Sequence, residues 1–325
     1  MLATPTAPRP AEPLRYLADA AAIVRASSFE NAVDRFLEQV LGQLRLEEVG
    51  ATNLEDIWDD VLAERRDPTT ARWRRLEAAL GYDPGEAPDE EIEALLADEA
   101  ILGRHAASEL AAARPDGERA ITAAELQNLA KTHGVELSPA HAVRLDEGRR
   151  PRPSAEFPAL RGGIEAAQAL CAQEALGVKP LTNEVLADLS GIAVEALEDI
   201  GASKMSFALE DEHEVRVVLR RTSWQTTRRF DLARLLGDRL LRTSGARLFP
   251  ATRAYTYRQK WQRAFAAELL CPFDALIKML AGDFSDEALE RAAQHFAVSE
   301  LAVRTILVNN GLLTPEDLES VAAKA

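Results

Sequence analysis

Between Arg216 and Arg263 the chain places twelve arginines and Lys260 against two acids, Asp231 and Asp238. Trp224, Phe230, Phe249, Tyr255, Tyr257 and Trp261 are interleaved with them. Guanidinium groups alternating with aromatic rings grip phosphates and stack on bases. The stretch is therefore a candidate anion- or partner-binding surface, with Arg228, Arg229, Arg239, Arg242, Tyr257 and Arg258 as its contact residues. The plain alternative is that these arginines solvate a surface or pair with acids of the same chain. Eight carboxylates between Asp83 and Glu99 stand together with no Lys or Arg among them. Docking of the basic stretch onto that acidic run is the default expectation, because a dense local charge finds its opposite.

Other chemistry is sparse. Arg234 and Asp238 are four apart, so on a helix they share a face and are expected to pair. A structural ion pair is favoured over a new catalytic pair. The five histidines are dispersed, with no two at the spacing of ligands on one helix, so no metal and no other cofactor is expected. Cys171 and Cys271 lack the short spacing of a redox or zinc motif and are read as small apolar residues.

Composition narrows the classes. A net charge of -15 argues against a protein that coats nucleic acid, which needs excess cations to displace counterions. No apolar run approaches the length that crosses a bilayer, and the first residues lack a basic-then-apolar leader. A cytoplasmic protein with no membrane contact is expected. With 325 residues and 47% hydrophobic content, two ordinary cores are within reach.

The elements that must position these residues follow from pattern. Residues 1–13 hold four prolines and read as a disordered arm. Residues 14–147 read as a helical domain, with capping boxes at Ser27–Glu30 and Thr122–Glu125. Residues 148–158, rich in proline and arginine, read as a linker. In 159–325, a helix covers 163–175 and a short one follows Thr182, ended by Gly191. Residues 206–209 and 215–219 alternate as the strands of a hairpin. The remainder reads as helical, giving a mainly α protein with a small β-sheet, an α+β class. Residues 292–307 have helix-turn-helix rhythm around Val298-Ser299, but Arg304 is nearly alone as a base or phosphate contact, so a packed closing pair is favoured.

Three stretches in the second half, Arg228 to Leu241, Arg263 to Pro272 and Phe296 to Leu312, resemble in that order the ImmA/IrrE metallo-endopeptidase family. The first is similar to its Arg-Phe-x-x-Ala-His-Glu-x-Gly-His helix, the second to its Asn-x-Phe-Ala-x-Glu-Leu-Leu-Met-Pro run, the third to its closing helix pair. The resemblance spans about residues 158–315 and implies a zincin-like peptidase-derived domain. In that family two histidines four apart hold Zn²⁺ and the adjacent glutamate activates its water. Those positions are Arg234, Leu235 and Asp238 here, and the third ligand falls at or beside Trp261, flanked by Lys260 and Gln262. A guanidinium repels a cation and a leucine accepts no proton. The resemblance thus implies a degenerate, non-catalytic member that binds a protein partner. Active members cut helix-turn-helix repressors in stress and mobile-element control, so a repressor is the partner it suggests. Nucleic-acid or nucleotide binding through Arg216–Arg263, and an enzyme with an unrecognised site, are the alternatives.

Overall fold

The computed structural model describes residues 24–50, 52–115, 118–138, 141–146, 148, 159–211, 214–241 and 246–318. The expected arm 1–13 and nearly all of the expected linker lie outside them. The chain divides into two compact units, and the division falls between Ala71 and Arg72.

In the first unit, α1 (Ala26–Leu46) and α2 (Asn53–Arg66) form a helical pair. Leu41 and Trp58 are buried. Arg65 reaches both oxygens of Asp34 at 3.0 Å while its guanidinium lies 5.5 Å from the Trp58 ring centre. The expected capping box at Ser27–Glu30 does not form: α1 begins at Ala26 behind Arg25, which caps it with no side-chain bond. Both serines therefore fall inside the first turn, past the position where a hydroxyl can cap.

The division cuts into α3 (Pro68–Leu80), and the second unit continues with α4 (Asp89–Leu102), α5 (Arg104–Ala112) and α6 (Ala123–His133). The capping box expected at Thr122–Glu125 is present. The Thr122 hydroxyl accepts from the Glu125 N–H at 3.3 Å, and the Glu125 carboxylate accepts from the Thr122 N–H at 2.9 Å.

Four described strands make one antiparallel sheet, β1 (Val135–Leu137), β2 (Ser206–Glu210), β3 (Val215–Val218) and β4 (Leu248–Ala251), in the order β1-β3-β2-β4. The expected hairpin is the central pair, with Phe207 opposite Val218. Successive side chains of a strand point to opposite faces, and both faces are covered. Ala208, Val217, Phe249 and Ala251 join the main core with Leu232, Leu236 and Phe265. Phe207, Leu209, Val218 and Leu248 pack instead with Leu110, Leu126 and Ala130 of α5 and α6.

That second face corrects the expected division into 14–147 and 159–325. Leucines and alanines read as the core of a separate helical domain are the cover of the sheet, and β1 is one of its strands. β1 is three residues long and follows a helix directly, too short for alternation to show. β4 carries Pro250, which lacks an N–H and so suits an edge strand; among the described residues β4 pairs only with β2.

The site is positioned by three close-packed helices, α7 (Ala159–Gln173), α9 (Gln225–Leu240) and α10 (Tyr257–Leu270). Between them in sequence, α8 (Asn183–Ser190) starts on the Thr182 hydroxyl and ends at left-handed Gly191, as expected. A Cβ at Gly163 would stand 2.5 Å from the Trp261 carbonyl oxygen. The backbones of α7 and α10 can approach this closely because that side chain is missing. Gly237 similarly admits the Phe265 ring against α9. Then α11 (Phe273–Leu280), α12 (Asp286–Phe296) and α13 (Glu300–Asn309) close the unit. The packed-pair reading of 292–307 agrees with this: the pair turns through left-handed Ala297, and Arg304 is buried on Glu300 and Asp286.

Candidate functional site

Helix α9 carries six charged residues whose side chains are largely withdrawn from solvent, and its arginines are clamps rather than a surface. Arg228 donates to the carbonyls of Leu197 at 2.9 Å and Thr222 at 2.6 Å. Arg229, 2% exposed, donates to the carbonyls of Leu181 at 2.6 Å and Ala297 at 3.2 Å, and to the Asn183 side chain. Arg239 donates to the carbonyl of Ser190 at 2.9 Å. Ser190 and Ala297 end α8 and α12, where carbonyls have no partner within the helix and the dipole favours a cation. Long apolar stems let arginine cross the core and place its charge on those carbonyls.

The expected basic surface is accordingly reduced. Arg228, Arg229 and Arg234 are buried, Arg239 and Arg258 are partly buried, and Arg242 lies outside the described residues. Tyr257 is exposed, as are Arg221, Arg247, Arg253 and Lys260. Within the acidic run, Glu91 and Glu99 pair with Arg114, Arg72 and Arg104, and Asp98 accepts from the Ala123 N–H. Local arginines on α3, on α5 and just beyond α5 thus engage Glu91 and Glu99.

The expected Arg234–Asp238 pair is replaced by two others. Arg234 stands 3.4 Å from Asp231 and donates to the Thr252 carbonyl and the Gln259 side chain, both at 2.6 Å. Asp238 accepts from Arg258 through both oxygens at 2.7 Å, the bidentate geometry that suits a guanidinium. Both arrangements need groups from β4 and α10, which spacing on α9 alone cannot reveal. Burial pushes the Arg234 guanidinium down to about 10, so it stays charged at neutral pH. Burial also raises the Asp238 carboxyl above its ordinary value, against the pull of Arg258. Leu235 is buried in the main core, and Trp261 stacks on Phe265 with its indole against Gly162 of α7.

Those four positions do not suit Zn²⁺. Arg234 offers only donors, both Asp238 oxygens are engaged by a guanidinium, and Leu235 and Trp261 supply no ligand. Among the described residues no three of His, Cys, Asp and Glu are grouped where they could share an ion. The thiols are inert: burial raises Cys171 to about 11 and Cys271 to about 12, so neither is a thiolate at neutral pH.

Beside this network a cavity of about 860 Å³ opens between α7, α9, α10 and α13. Leu160, Ile164, Phe230, Leu301 and Ile306 give it apolar walls. Arg220, Asp231 and Arg263 form a charged wall, with Lys260 and Tyr257 also lining it. Of these, Arg220, Asp231 and Arg263 are residues that spacing did not single out as a site. Asp231 was the detectable one, as one of only two acids in the basic stretch. Its carboxylate accepts from the Ser206 hydroxyl at 2.8 Å, and Arg220 stands 3.4 Å away. The volume falls within the range of pockets that take small molecules or short peptide segments.

Compared with family models, with curated proteins and with solved structures, the chain finds no match.

Proposed function

We propose that this chain is a non-catalytic, peptidase-like binding protein of ImmA/IrrE type, and that its cavity receives a segment of a protein partner. The second unit is then a zincin-like domain that has exchanged its metal site for internal ion pairs. The observation that carries the reading is the placement of the cavity. It lies along α9 at Phe230 and Asp231, one turn from Arg234, while the positions a metal would need are closed by Arg234–Asp231 and Asp238–Arg258. A cleft beside a filled catalytic position can hold a chain without a group to attack it. A helix-turn-helix repressor in bacterial stress or mobile-element control, held in the cytoplasm, is the partner that the resemblance suggests. No described helix is long and apolar enough to cross a membrane.

The nucleic-acid alternative draws less support from the geometry, because Arg228, Arg229 and Arg234 spend their donors on internal carbonyls and carboxylates. Counterion release needs cations that can reach phosphates.

The test is photo-crosslinking in cells from a benzophenone side chain placed at Leu301 or Tyr257 on the cavity, with Val185 on α8 as the outside control. One protein adduct of undiminished mass at the cavity positions, abolished by Ala302→Trp, is expected. A partner recovered in cleaved form, or labelling equal at Val185, would overturn the reading.

A further inference from the structure

The charges around the cavity do not balance. Arg220, Arg263 and, behind them, Arg234 surround Asp231, and all three side chains are at least partly buried. The proximity of Arg220 and Arg263 helps hold Arg234 below its ordinary value. Asp231 is already shared, accepting from Ser206 and facing two guanidiniums at 3.4 Å. The cavity's other carboxylate, Glu268, is engaged elsewhere, accepting from the Gln168 side chain at 2.9 Å and the Phe273 N–H at 3.3 Å. Arg220, Arg234, Arg263 and Lys260 thus stand against Asp231, Glu268 and Glu109, whose charge Arg263 also feels, leaving one positive charge in excess, while Arg263 spends one nitrogen on the carbonyls of Thr252 at 3.2 Å and Ala254 at 2.8 Å. The Nε atoms of Arg220 and Arg234 are buried without a hydrogen-bond partner. Leaving a buried donor unpaired is costly, more so when it is charged. Arg220 and Arg263 themselves line the cavity, and the opposite walls, Ile164, Phe230 and Ile306 among them, are apolar.

We infer that the cavity is a site for a carboxylate carried on an apolar body, with the carboxylate against Arg220 and Arg263 and the apolar part on the walls from α7, α9 and α13. Two guanidiniums offer the planar paired donors that a carboxylate accepts. Lys260, exposed beside the cavity, adds attraction on entry. The same chemistry is offered by the C-terminal end of a polypeptide with an apolar last residue and by a free aliphatic acid. The inference rests on the proposed use of the cavity as the binding site, but not on the occupant being a protein.

The experiment is calorimetric titration of the full chain with four probes: acetyl-Ala-Ala-Leu-Leu with a free carboxylate, the same peptide as its amide, decanoate and decanol. Saturable binding of at least one acid is expected, with its neutral counterpart tenfold or more weaker. Tight peptide with weak decanoate identifies a chain end as the source, and the reverse identifies a free acid. Arg220→Gln and Arg263→Met should each weaken the acid tenfold or more while leaving the neutral probe unchanged. Acid and neutral forms binding alike would overturn the inference but spare the cavity as a binding site. No binding of either acid also overturns it, and the crosslinking result then decides the proposed function separately. Because the comparison of acid with neutral probe uses the unaltered protein, an unstable variant does not remove the test.

Discussion

Asp238 is 4% exposed and meets Arg258 through two bonds, while Arg234 lies one turn back on the same helix. Removing a buried carboxylate leaves its partly buried partner without a counter-charge, which costs more than the pair contributed. Asp238→Ala is therefore expected to lower the unfolding free energy by about 3–5 kcal/mol, read from the midpoint of urea denaturation at constant slope. A loss below about 1 kcal/mol, the scale of an exposed pair, would mean that Arg258 and Asp238 are solvated in solution. At this scale the residue types were legible and their partners were not. Arg234 and Asp238 stand out by spacing, but Arg258 and Gln259 reach them only because α10 folds back along α9. The cavity's charged wall was hidden for the same reason, since Arg220, Asp231 and Arg263 come from three separate segments.

Helices whose ends carry their own signals were legible. Thr122 with Glu125, and Thr182 with Gly191, mark helix boundaries through bonds made within a few residues. Arg119 and the Thr122 N–H hold Glu125 down to about 2 from its ordinary value near 4.5. A depressed carboxyl contributes stability that is present above its unfolded value and lost as pH falls through its folded one. Glu125→Gln should thus flatten the loss of melting temperature between pH 4.5 and about 2. An unchanged acid limb in that window would contradict the cap's contribution. Close packing of elements was not legible. Gly163 reads as an ordinary glycine in a helix, yet a side chain there meets the Trp261 carbonyl. Gly163→Ala should cost about 1–3 kcal/mol through overpacking, although alanine has the better helix propensity. A gain in stability on calorimetric melting would show that α7 and α10 have room to separate.

For the molecule as a whole, the helical class with a small sheet was readable from periodicity, whereas the division into units was not. A proline-rich stretch looks like a boundary, but α5 and α6 cover one face of the sheet and β1 is one of its strands, while the other strands begin only at Ser206, beyond that stretch. Pairing between distant segments leaves little local trace. The same long-range closure fills the four positions Arg234, Leu235, Asp238 and Trp261 with core contacts and ion pairs. Arg234→His, Leu235→Glu and Asp238→His together should accordingly fail to produce a zinc peptidase, since Trp261 brings no carboxylate and Arg258 would lose its partner. The unaltered chain offers the most direct measurement: zinc per molecule by elemental analysis after purification, with hydrolysis of unstructured peptides followed with and without a chelator. Zinc far below one per chain and no hydrolysis are what the proposed non-catalytic reading predicts for this network. One tightly held zinc per chain, with cleavage abolished by the chelator, would contradict it.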